Sequence, residues 1–246
     1  MNATEQLISW IRESEKIVFF GGAGTSTESG IPDFRSAAGL YQTEQHSPYP
    51  PEELLSRSFF DRHADIFFDF YRSKMLHPNA EPNGCHRLLA RLEQEGRLQA
   101  VITQNIDGLH QKAGSHTVLE LHGSVHRNYC MDCRCFHTLD HMIDSASIVP
   151  RCTACGGIVK PDVVLYEEQL DQSVLFGAVD AISSADLLLV GGTSLTVQPA
   201  AQLITYFRGK HTVLLNATPT AYDHRADLLI TDPIGEVMNT VDRLLG

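Results

Sequence analysis

Short runs of apolar residues recur along the chain and alternate with stretches of helical periodicity. The apolar runs lie at residues 17–20, 100–103, 118–121, 163–165, 187–190, 212–215 and 228–230. The helical patterns cover residues 4–12, 85–95, 174–183, 200–207 and 234–245. Because strands that are apolar throughout are buried on both faces, the alternation predicts an α/β fold in which helices cover both faces of a parallel sheet.

Two stretches interrupt this alternation. Residues 37–82 are rich in proline, phenylalanine, tyrosine and histidine, and they predict a loop followed by a helical part at 59–75. Residues 127–160 form a cysteine-bearing insert between two predicted strands. No flexible linker separates either stretch from the rest. We therefore interpret both as insertions in one domain, which is made of residues 1–36, 83–126 and 161–246.

Composition narrows the classes of function. Of 246 residues, 43% are apolar and 20% charged, and 19 basic against 30 acidic side chains give a net charge of −11. Direct nucleic-acid binding is therefore a poor hypothesis, because it depends on lysine and arginine neutralising phosphates. Charges interrupt the first 20 residues, and no stretch approaches the roughly 18 apolar residues of a membrane span. We expect a cytoplasmic protein with no membrane association.

Four of the six cysteines form two paired motifs. Cys130 and Cys133 make one Cys-x2-Cys pair, and Cys152 and Cys155 make a second pair eighteen residues further on. This spacing is typical of a four-cysteine Zn²⁺ site. Since four thiolates close the coordination shell and leave no position for water, we expect the metal to be structural. The remaining cysteines, Cys85 and Cys135, need no function on this interpretation.

A glycine-rich turn follows the first apolar run. Gly22 and Gly24 would let the backbone approach a phosphate, and a helix start would favour its charge, so the turn predicts a dinucleotide site. The pattern departs from the dehydrogenase fingerprint, since Thr27 stands where a third glycine or alanine is expected. The turn taken alone is also compatible with a tight strand-to-helix connection that binds nothing.

Polar residues follow three of the predicted strands, at 103–110, 122–124 and 191–194. In an open parallel sheet the ligand crevice lies beyond the carboxyl ends of the strands, so these clusters should meet. Together they offer the amides of Gln104 and Asn105, the carboxylate of Asp107 and the imidazole of His122. This set suits a polar ligand and one proton transfer, with histidine as the base.

Six motifs taken in order resemble one family. They lie at residues 22–26, 29–35, 103–107, 122–123, the two Cys-x2-Cys pairs and 192–195. Together they resemble the sirtuin family of NAD-dependent protein deacylases, of the bacterial type, and the similarity extends from Lys16 to Val237. The resemblance implies a Rossmann-like NAD-binding domain with a helical insertion and a small zinc-binding module. Residues 40–51 are polar, contain proline and lack periodicity, so we expect them to form a mobile cofactor loop.

The family's functional residues can be carried over position by position. The NAD-binding residues would be Gly22, Ala23, Gly24, Thr27, Phe34, Arg35, Gln104, Asn105, Ile106, Asp107, Thr193, Ser194, Asn216 and Ile234. His122 would be the general base, with Asn105 and Asp107 as further catalytic residues. Val164, Leu165, Tyr166 and Val197 would hold an extended acyl-lysine peptide by strand addition. NAD would be consumed as a co-substrate: nicotinamide leaves, and the acyl group passes to ADP-ribose.

Two positions depart from the family pattern. Relatives that prefer succinyl or malonyl lysine carry a Tyr-x-x-Arg pair, whereas here Lys74 follows Tyr71. A lysine lacks the bidentate fork that matches a carboxylate, so we expect neutral acyl groups, acetyl first. The second departure is Glu167, which stands where the family usually has glycine between an aromatic residue and a glutamate; this change puts peptide affinity in question.

Three other classes of function remain open at this point. An ADP-ribosyltransferase or NAD glycohydrolase could use the same pocket without an acyl-lysine peptide. A non-enzymatic, zinc-stabilised module would bind NAD and release no nicotinamide. A nicotinamide-dependent dehydrogenase is disfavoured by the altered glycine motif. We expect the partners to be acyl-lysine proteins and the protein to be a monomer.

Overall fold

The computed structural model describes residues 2–36, 39–44 and 48–246. Its helices are α1 (Ala3–Glu13), α2 (Leu40–Thr43), α3 (Pro51–Leu54), α4 (Arg57–Arg62), α5 (Ala64–Lys74), α6 (Gly84–Gln94), α7 (Leu109–Lys112), α8 (Leu139–Asp144), α9 (Gln172–Ser184) and α10 (Ile234–Leu245). Its strands are β1 (Ile17–Gly21), β2 (Leu98–Thr103), β3 (Val118–Glu120), β4 (Gly123–Cys130), β5 (Phe136–His137), β6 (Val159–Val163), β7 (Leu187–Gly191), β8 (His211–Leu215) and β9 (Leu228–Ile230). Three 3-10 helices cover Ala23–Ser29, Ala200–Tyr206 and Asp223–Arg225.

Six strands form a parallel sheet in the order β3-β2-β1-β7-β8-β9. From β1 the chain runs outward through β2 to β3, and it then returns to build β7, β8 and β9 on the other side. The strand order therefore reverses between β1 and β7, where Gly21 pairs with Gly191. Such a reversal opens a crevice at the carboxyl ends of the two strands.

Both faces of this sheet are buried under helices, as the continuous apolar runs predict. On one face, α1, α6 and α10 pack on the sheet through residues such as Leu7, Leu88 and Met238. On the other face, α9 and the 3-10 helix Ala200–Tyr206 cover it through residues such as Ile182 and Leu203. The predicted α/β class is confirmed. The helical pattern at 200–207 corresponds to a 3-10 helix, Ala200–Tyr206.

A second, antiparallel sheet in the order β5-β4-β6 carries the cysteine-bearing insert. The prediction that residues 163–165 form a strand of the main sheet was wrong. The strand is β6, Val159–Val163, and it pairs with β4. After Val163 the chain leaves the strand and becomes a loop whose backbone contacts His122 and Leu55. Strands β4 and β6 both cross the domain boundaries predicted near residues 126 and 160, and that division of the chain stays a prediction.

Within the helical insertion, residues 59–75 were predicted as a single helical segment, but they belong to two helices, α4 and α5. Helix α4 ends and α5 begins around His63, whose φ of −137° and ψ of 53° are not helical. The break lets Phe60 of α4 pack edge-on against Phe67 and Phe68 of α5. These rings join residues of the antiparallel sheet in one apolar core. Residues 37–38 and 45–47, which include part of the predicted cofactor loop, lie outside the described residues.

None of the helices formed by the described residues is both long enough and apolar enough to cross a membrane.

Candidate active site

A cavity of about 320 Å³ lies at the carboxyl ends of β1, β2 and β7. The three polar clusters predicted to meet at this edge all contribute to it. Its walls include Gln104, Asn105, Ile106 and Asp107 after β2, His122 before β4, and Gly192, Thr193 and Ser194 after β7. The cavity therefore sits at the point where the strand order reverses, which is the usual ligand position in this class of fold.

Three glycines set the shape of the cavity floor. Gly24 donates its backbone N–H to the carbonyl of Gly192 at 2.8 Å, which binds the turn after β1 to the turn after β7. A β-carbon on Gly24 would lie 2.8 Å from the Cα of Gly192, and one on Gly22 would lie 2.8 Å from the Cβ of Thr193. Gly192 itself has φ of 60°, a left-handed conformation that favours glycine. The glycine motif is thus required for the two turns to meet.

A buried hydroxyl joins the amide and the carboxylate of the predicted set. Asn105 donates Nδ2–H to the Oγ of Ser26 at 3.1 Å, and Ser26 donates its own proton to Oδ2 of Asp107 at 2.7 Å. The backbone N–H of Leu109 reaches Oδ1 of Asp107 at 2.9 Å. Burial raises the pKa of Asp107, while these two donors act in the opposite direction. Sequence reasoning missed Ser26 as a site residue, although it lies within the glycine-rich motif.

His122 is held by the backbone that precedes Asn105. Its Nδ1 lies 2.9 Å from the carbonyl oxygen of Gln104. Because a carbonyl oxygen only accepts hydrogen bonds, Nδ1 carries the proton, and Nε2 is the basic nitrogen of the neutral ring. Burial lowers the pKa of His122. The imidazole therefore stays neutral at physiological pH and can accept a proton in the cavity that it lines.

Asn216 fixes the loop after β7. Its Oδ1 accepts from the N–H of Thr193 at 2.9 Å, and its Nδ2 donates to the carbonyl of Thr193 at 2.8 Å. The hydroxyl of Thr193 in turn accepts from Nε2 of Gln104 at 3.1 Å. The three side chains connect the carboxyl ends of β2, β7 and β8 across the crevice, and their conformations are set before any ligand binds.

The two cysteine pairs meet as the sequence predicts. Their sulfurs are close to one another, with 3.4 Å between Cys130 and Cys155 and 3.6 Å between Cys133 and Cys152. Tetrahedral coordination at a Zn–S length of about 2.3 Å places sulfurs about 3.8 Å apart, so the four thiolates fit Zn²⁺. Backbone N–H groups of Cys133 and Asp132 help to lower the pKa of Cys130, whereas hydrogen bonds among the sulfurs raise the pKa of Cys133 and of Cys155.

Comparison with known proteins identifies the family. Residues 22–199 match the model of the Sir2 family. The chain belongs to the Sir2 family, the sirtuins. A curated relative from Clostridium acetobutylicum, named NAD-dependent protein deacetylase, is 57% identical over 241 residues, which cover 98% of each chain.

Solved sirtuin structures share the whole fold. A Sir2 histidine-to-alanine variant with a deacetylated p53 peptide and 3′-O-acetyl ADP-ribose has a TM-score of 0.90 and 36% identity, covering 99% of this chain and 98% of that one. A Sir2 protein bound to an acetylated peptide has a TM-score of 0.86 and 35% identity, covering 100% of both chains. The predicted family and the predicted Rossmann-like architecture are both confirmed.

The other predicted NAD-binding residues of this sirtuin divide into two groups. Ala23, Phe34 and Arg35 line the cavity together with the residues described above. Thr27 is exposed and donates its hydroxyl to the carbonyl of Gly24 at 3.0 Å. Ile234 is buried in the core under the sheet. Neither Thr27 nor Ile234 lines the cavity, nor does Asn216, and their contacts with a cofactor stay predictions.

The predicted peptide-binding residues form one wall of the same cavity, to which Val164, Leu165, Tyr166 and Val197 contribute. Val164 donates its N–H to the carbonyl of His122 at 2.9 Å, so a backbone hydrogen bond joins this wall directly to His122. Tyr166 pairs with the helical insertion, accepting from the N–H of Arg57 and donating to the carbonyl of Leu55, both at 3.0 Å. The wall is thus held between the sheet edge and the insertion.

Glu167 keeps a glycine-like backbone conformation. Its φ of 75° is in the left-handed region, which costs a residue with a β-carbon about 1–2 kcal/mol. Its carboxylate accepts hydrogen bonds from the N–H and the hydroxyl of Ser58, at 2.8 and 3.0 Å. These bonds fasten the turn to the first residues of α4, where a negative charge is favourable.

One residue of the cavity wall belongs to an ion pair. Lys74 lines the cavity, and its Nζ lies 2.6 Å from Oε1 of Glu44. Tyr71 lines it as well, and its buried hydroxyl finds no hydrogen-bond partner among the residues that the structure describes. The charge of Lys74 is therefore already matched by a carboxylate of the chain itself.

Proposed function

We propose that this sirtuin is an NAD-dependent protein-lysine deacetylase in which His122 is the general base. The observation that carries the proposal is the single cavity shared by three kinds of group: the imidazole of His122, the polar pair Asn105 and Asp107, and the wall formed by Val164 and its neighbours. The printed name of the Clostridium relative, at 57% identity, supports the same activity.

We assign the nicotinamide end of NAD to the pocket around Asp107. Asn105 and Asp107 offer hydrogen-bonding groups for a carboxamide, and Ile106 offers an apolar surface for the pyridine ring. Ser26 holds both polar side chains in place, so little conformational entropy is lost on binding. Phe34 then lies on the side of the reacting ribose and excludes water from it.

The chemistry that NAD supplies is a ribose carbon activated by departure of nicotinamide. The amide oxygen of an acyl-lysine is a poor nucleophile and needs such a carbon. His122 accepts a proton from the ribose hydroxyl pair through Nε2, which is unprotonated because Nδ1 donates to Gln104. With the amide oxygen bonded to that carbon in place of nicotinamide, the deprotonated oxygen would attack the imidate carbon. Addition of water would then release the lysine amine and leave the acyl group on ADP-ribose.

We place the substrate peptide between the loop of Val164 and Tyr166 and the segment that carries Val197. Both line the cavity, and an extended peptide between them adds a strand by backbone hydrogen bonds. The net charge of −11 favours peptides with basic flanking residues. We also propose that the protein acts in the cytoplasm as a monomer, with free cysteines available to the metal.

Acetyl is the acyl group that we favour over succinyl. A succinyl carboxylate would have to compete with Glu44 for Lys74, and a lysine offers no bidentate fork. Comparing kcat/KM for acetyl and succinyl peptides of one sequence tests this directly. A larger value for the succinyl peptide would contradict the assignment.

One product assay tests the proposed activity as a whole. The protein is incubated with NAD, with and without an acetyl-lysine peptide, and nicotinamide, O-acetyl-ADP-ribose and free peptide are quantified. We expect all three products in equal amounts, and only when the peptide is present. His122→Ala should lose at least about a hundredfold in rate, the range of general-base catalysis, whereas the remote variant His116→Ala should not.

The other outcomes of this assay identify other functions. Nicotinamide released without peptide would indicate a glycohydrolase or an ADP-ribosyltransferase, and NAD binding without any nicotinamide would indicate a binding module. Full deacetylation by His122→Ala would remove the assigned base while leaving the family and fold unaffected.

A further inference from the structure

A second cluster of metal-binding side chains lies beside the four-cysteine site. Cys135, His137 and Cys152 bring a thiol, an imidazole nitrogen and a second thiol within 4.8 Å of one another. Cys152 belongs to both clusters, whereas Cys135 and His137 belong only to this one. Neither Cys135 nor His137 is a metal ligand in the predicted four-cysteine site.

The spacing within this cluster matches one metal ion. Nε2 of His137 lies 3.4 Å from Sγ of Cys152. Tetrahedral Zn²⁺, with Zn–S of about 2.3 Å and Zn–N of about 2.0–2.1 Å, requires about 3.6 Å between a sulfur and a nitrogen ligand. The distance between His137 and Cys152 therefore fits a shared Zn²⁺, and the thiol of Cys135 lies within 4.8 Å of both ligand atoms.

The surrounding strands hold these ligands in position. The carbonyl of Cys135 accepts from the N–H of Cys130 at 2.9 Å, which fixes the spare cysteine against the first cysteine pair. Asn128 of β4 donates Nδ2–H to the carbonyl of His137 at 3.3 Å. The ring of His141 packs against that of His137 at a tilt of 33°, with 4.3 Å between centroids. His137 and Cys152 are buried and Cys135 is exposed, so only one side of the cluster opens to solvent.

Electrostatics favour a second cation here. Four thiolates around one divalent ion leave an excess of negative charge, and Cys152 carries part of that charge into the second cluster. A further Zn²⁺, with Cys135 as a fifth thiolate, reduces the excess. A thiolate has lone pairs enough to bridge two zinc ions, and histidine with cysteine is a ligand set that zinc prefers.

We propose that Cys135, His137 and Cys152 form a second Zn²⁺ site that shares the Cys152 thiolate with the four-cysteine site. Three protein ligands leave the fourth position to solvent, so this ion exchanges faster and binds more weakly than the structural one. The simpler arrangement, in which His137 only donates a hydrogen bond to Cys152, holds a single ion. The two arrangements differ in stoichiometry.

Equilibrium dialysis of the full chain against buffered Zn²⁺ measures that stoichiometry. We expect two ions per chain at saturation, bound with different affinities, and one ion in Cys135→Ser. Serine at this exposed position leaves the four-cysteine site intact, so its folding provides the control for stability. His141→Gln removes an imidazole that packs against His137 without belonging to the ligand set, and this variant should still bind two ions.

Cadmium gives an independent readout of the shared sulfur. The ¹¹³Cd spectrum of the wild-type chain should contain two resonances coupled through Cys152, and that of Cys135→Ser should contain one. Saturation of the wild type at one ion would overturn the proposal. Two ions retained in Cys135→Ser would overturn it equally, because the second ion would then lie elsewhere.

Discussion

The carbonyl oxygen of Gln104 accepts the Nδ1 proton of His122 at 2.9 Å. This bond connects the two strand ends from which the polar side of the cavity is built, because Gln104 follows β2 and His122 precedes β4. It also selects the tautomer of the ring, so that Nε2 has a free lone pair. Burial lowers the pKa of the same ring and keeps that lone pair available.

The pH dependence of deacetylation should reflect this lowered pKa. A histidine in water titrates near pH 6.5, so His122 should stay neutral somewhat below that value. We expect kcat/KM to be constant through neutral pH and to fall on the acid side only below about pH 6.5, as His122 becomes protonated. The profile is measured with an acetyl peptide free of titrating groups. An acid limb centred above pH 6.5 would contradict the lowered pKa.

Folding stability should fall at a similar pH for a different reason. His86 and His110 are completely buried neighbours, with 4.7 Å between ring centroids. Burial lowers the pKa of His86 to about 4, and it also lowers the pKa of His110 well below its usual range. In the unfolded chain both titrate near 6.5, so below that pH the unfolded state binds more protons. The free energy of unfolding should therefore decrease as the pH falls from about 6.5 towards 4.

Urea unfolding at a series of pH values measures this loss. Each histidine that stays neutral contributes at most about 1.4 kcal/mol per pH unit, and His122 acts in the same direction. The slope of the unfolding free energy against pH measures the protons taken up on unfolding. His110→Leu should lower that number by about one, and the exposed control His116→Gln should leave it unchanged. A stability that does not vary between pH 7 and 5 would exclude this origin.

Ser26 should matter for catalysis although it was not predicted from the sequence. Its hydroxyl is the link between Asn105 and Asp107, and Ser26→Ala removes a donor from a buried carboxylate. Hydrogen bonds to charged groups contribute about 1.5–3 kcal/mol, so we expect kcat/KM to fall by about ten- to a hundredfold. Steady-state kinetics with varied NAD measures the loss. Ser184→Ala, at the far end of α9, is the matched control, and activity within twofold of wild type in Ser26→Ala would refute the role.

The sequence correctly predicted those features of the fold that depend on local periodicity and on residue spacing. The strands β1 and β7, the glycine turn at Gly22 and the two cysteine pairs all follow from short-range rules, and the structure has each of them. The run at 163–165 was assigned to the wrong sheet, because an apolar triplet looks the same in either sheet. The break at His63 depends on aromatic rings packing between α4 and α5, and no local pattern reveals such packing.

The site, too, has features that the sequence predicts and features that it does not. The clusters after β2 and β7 could be predicted to meet, since parallel strands end at one edge. The bridge through Ser26 and the pairing of Lys74 with Glu44 could not, because both join side chains from distant parts of the chain. The loss of glycine at position 167 was visible in the sequence, but its compensation by Ser58 was not.

Glu167 offers a test of that compensation. Two opposed effects act at this position: a left-handed backbone that costs about 1–2 kcal/mol, and two hydrogen bonds to Ser58. Glu167→Ala keeps the strain and loses the bonds, whereas Glu167→Gly loses both. We therefore expect the alanine variant to be less stable than the glycine variant by about 1 kcal/mol, as measured by urea unfolding.

Peptide binding should respond to the lost bonds and not to the strain. Both variants remove the two bonds that Ser58 makes to the turn beside Tyr166, so KM for the peptide should rise to a similar extent in each, while KM for NAD stays constant. Gln169→Ala, an exposed neighbour in the same loop, is the control and should change neither parameter. Equal stabilities of the alanine and glycine variants would mean that the backbone relaxes once Ser58 is released. A KM unchanged in both would show that the turn is positioned without Glu167.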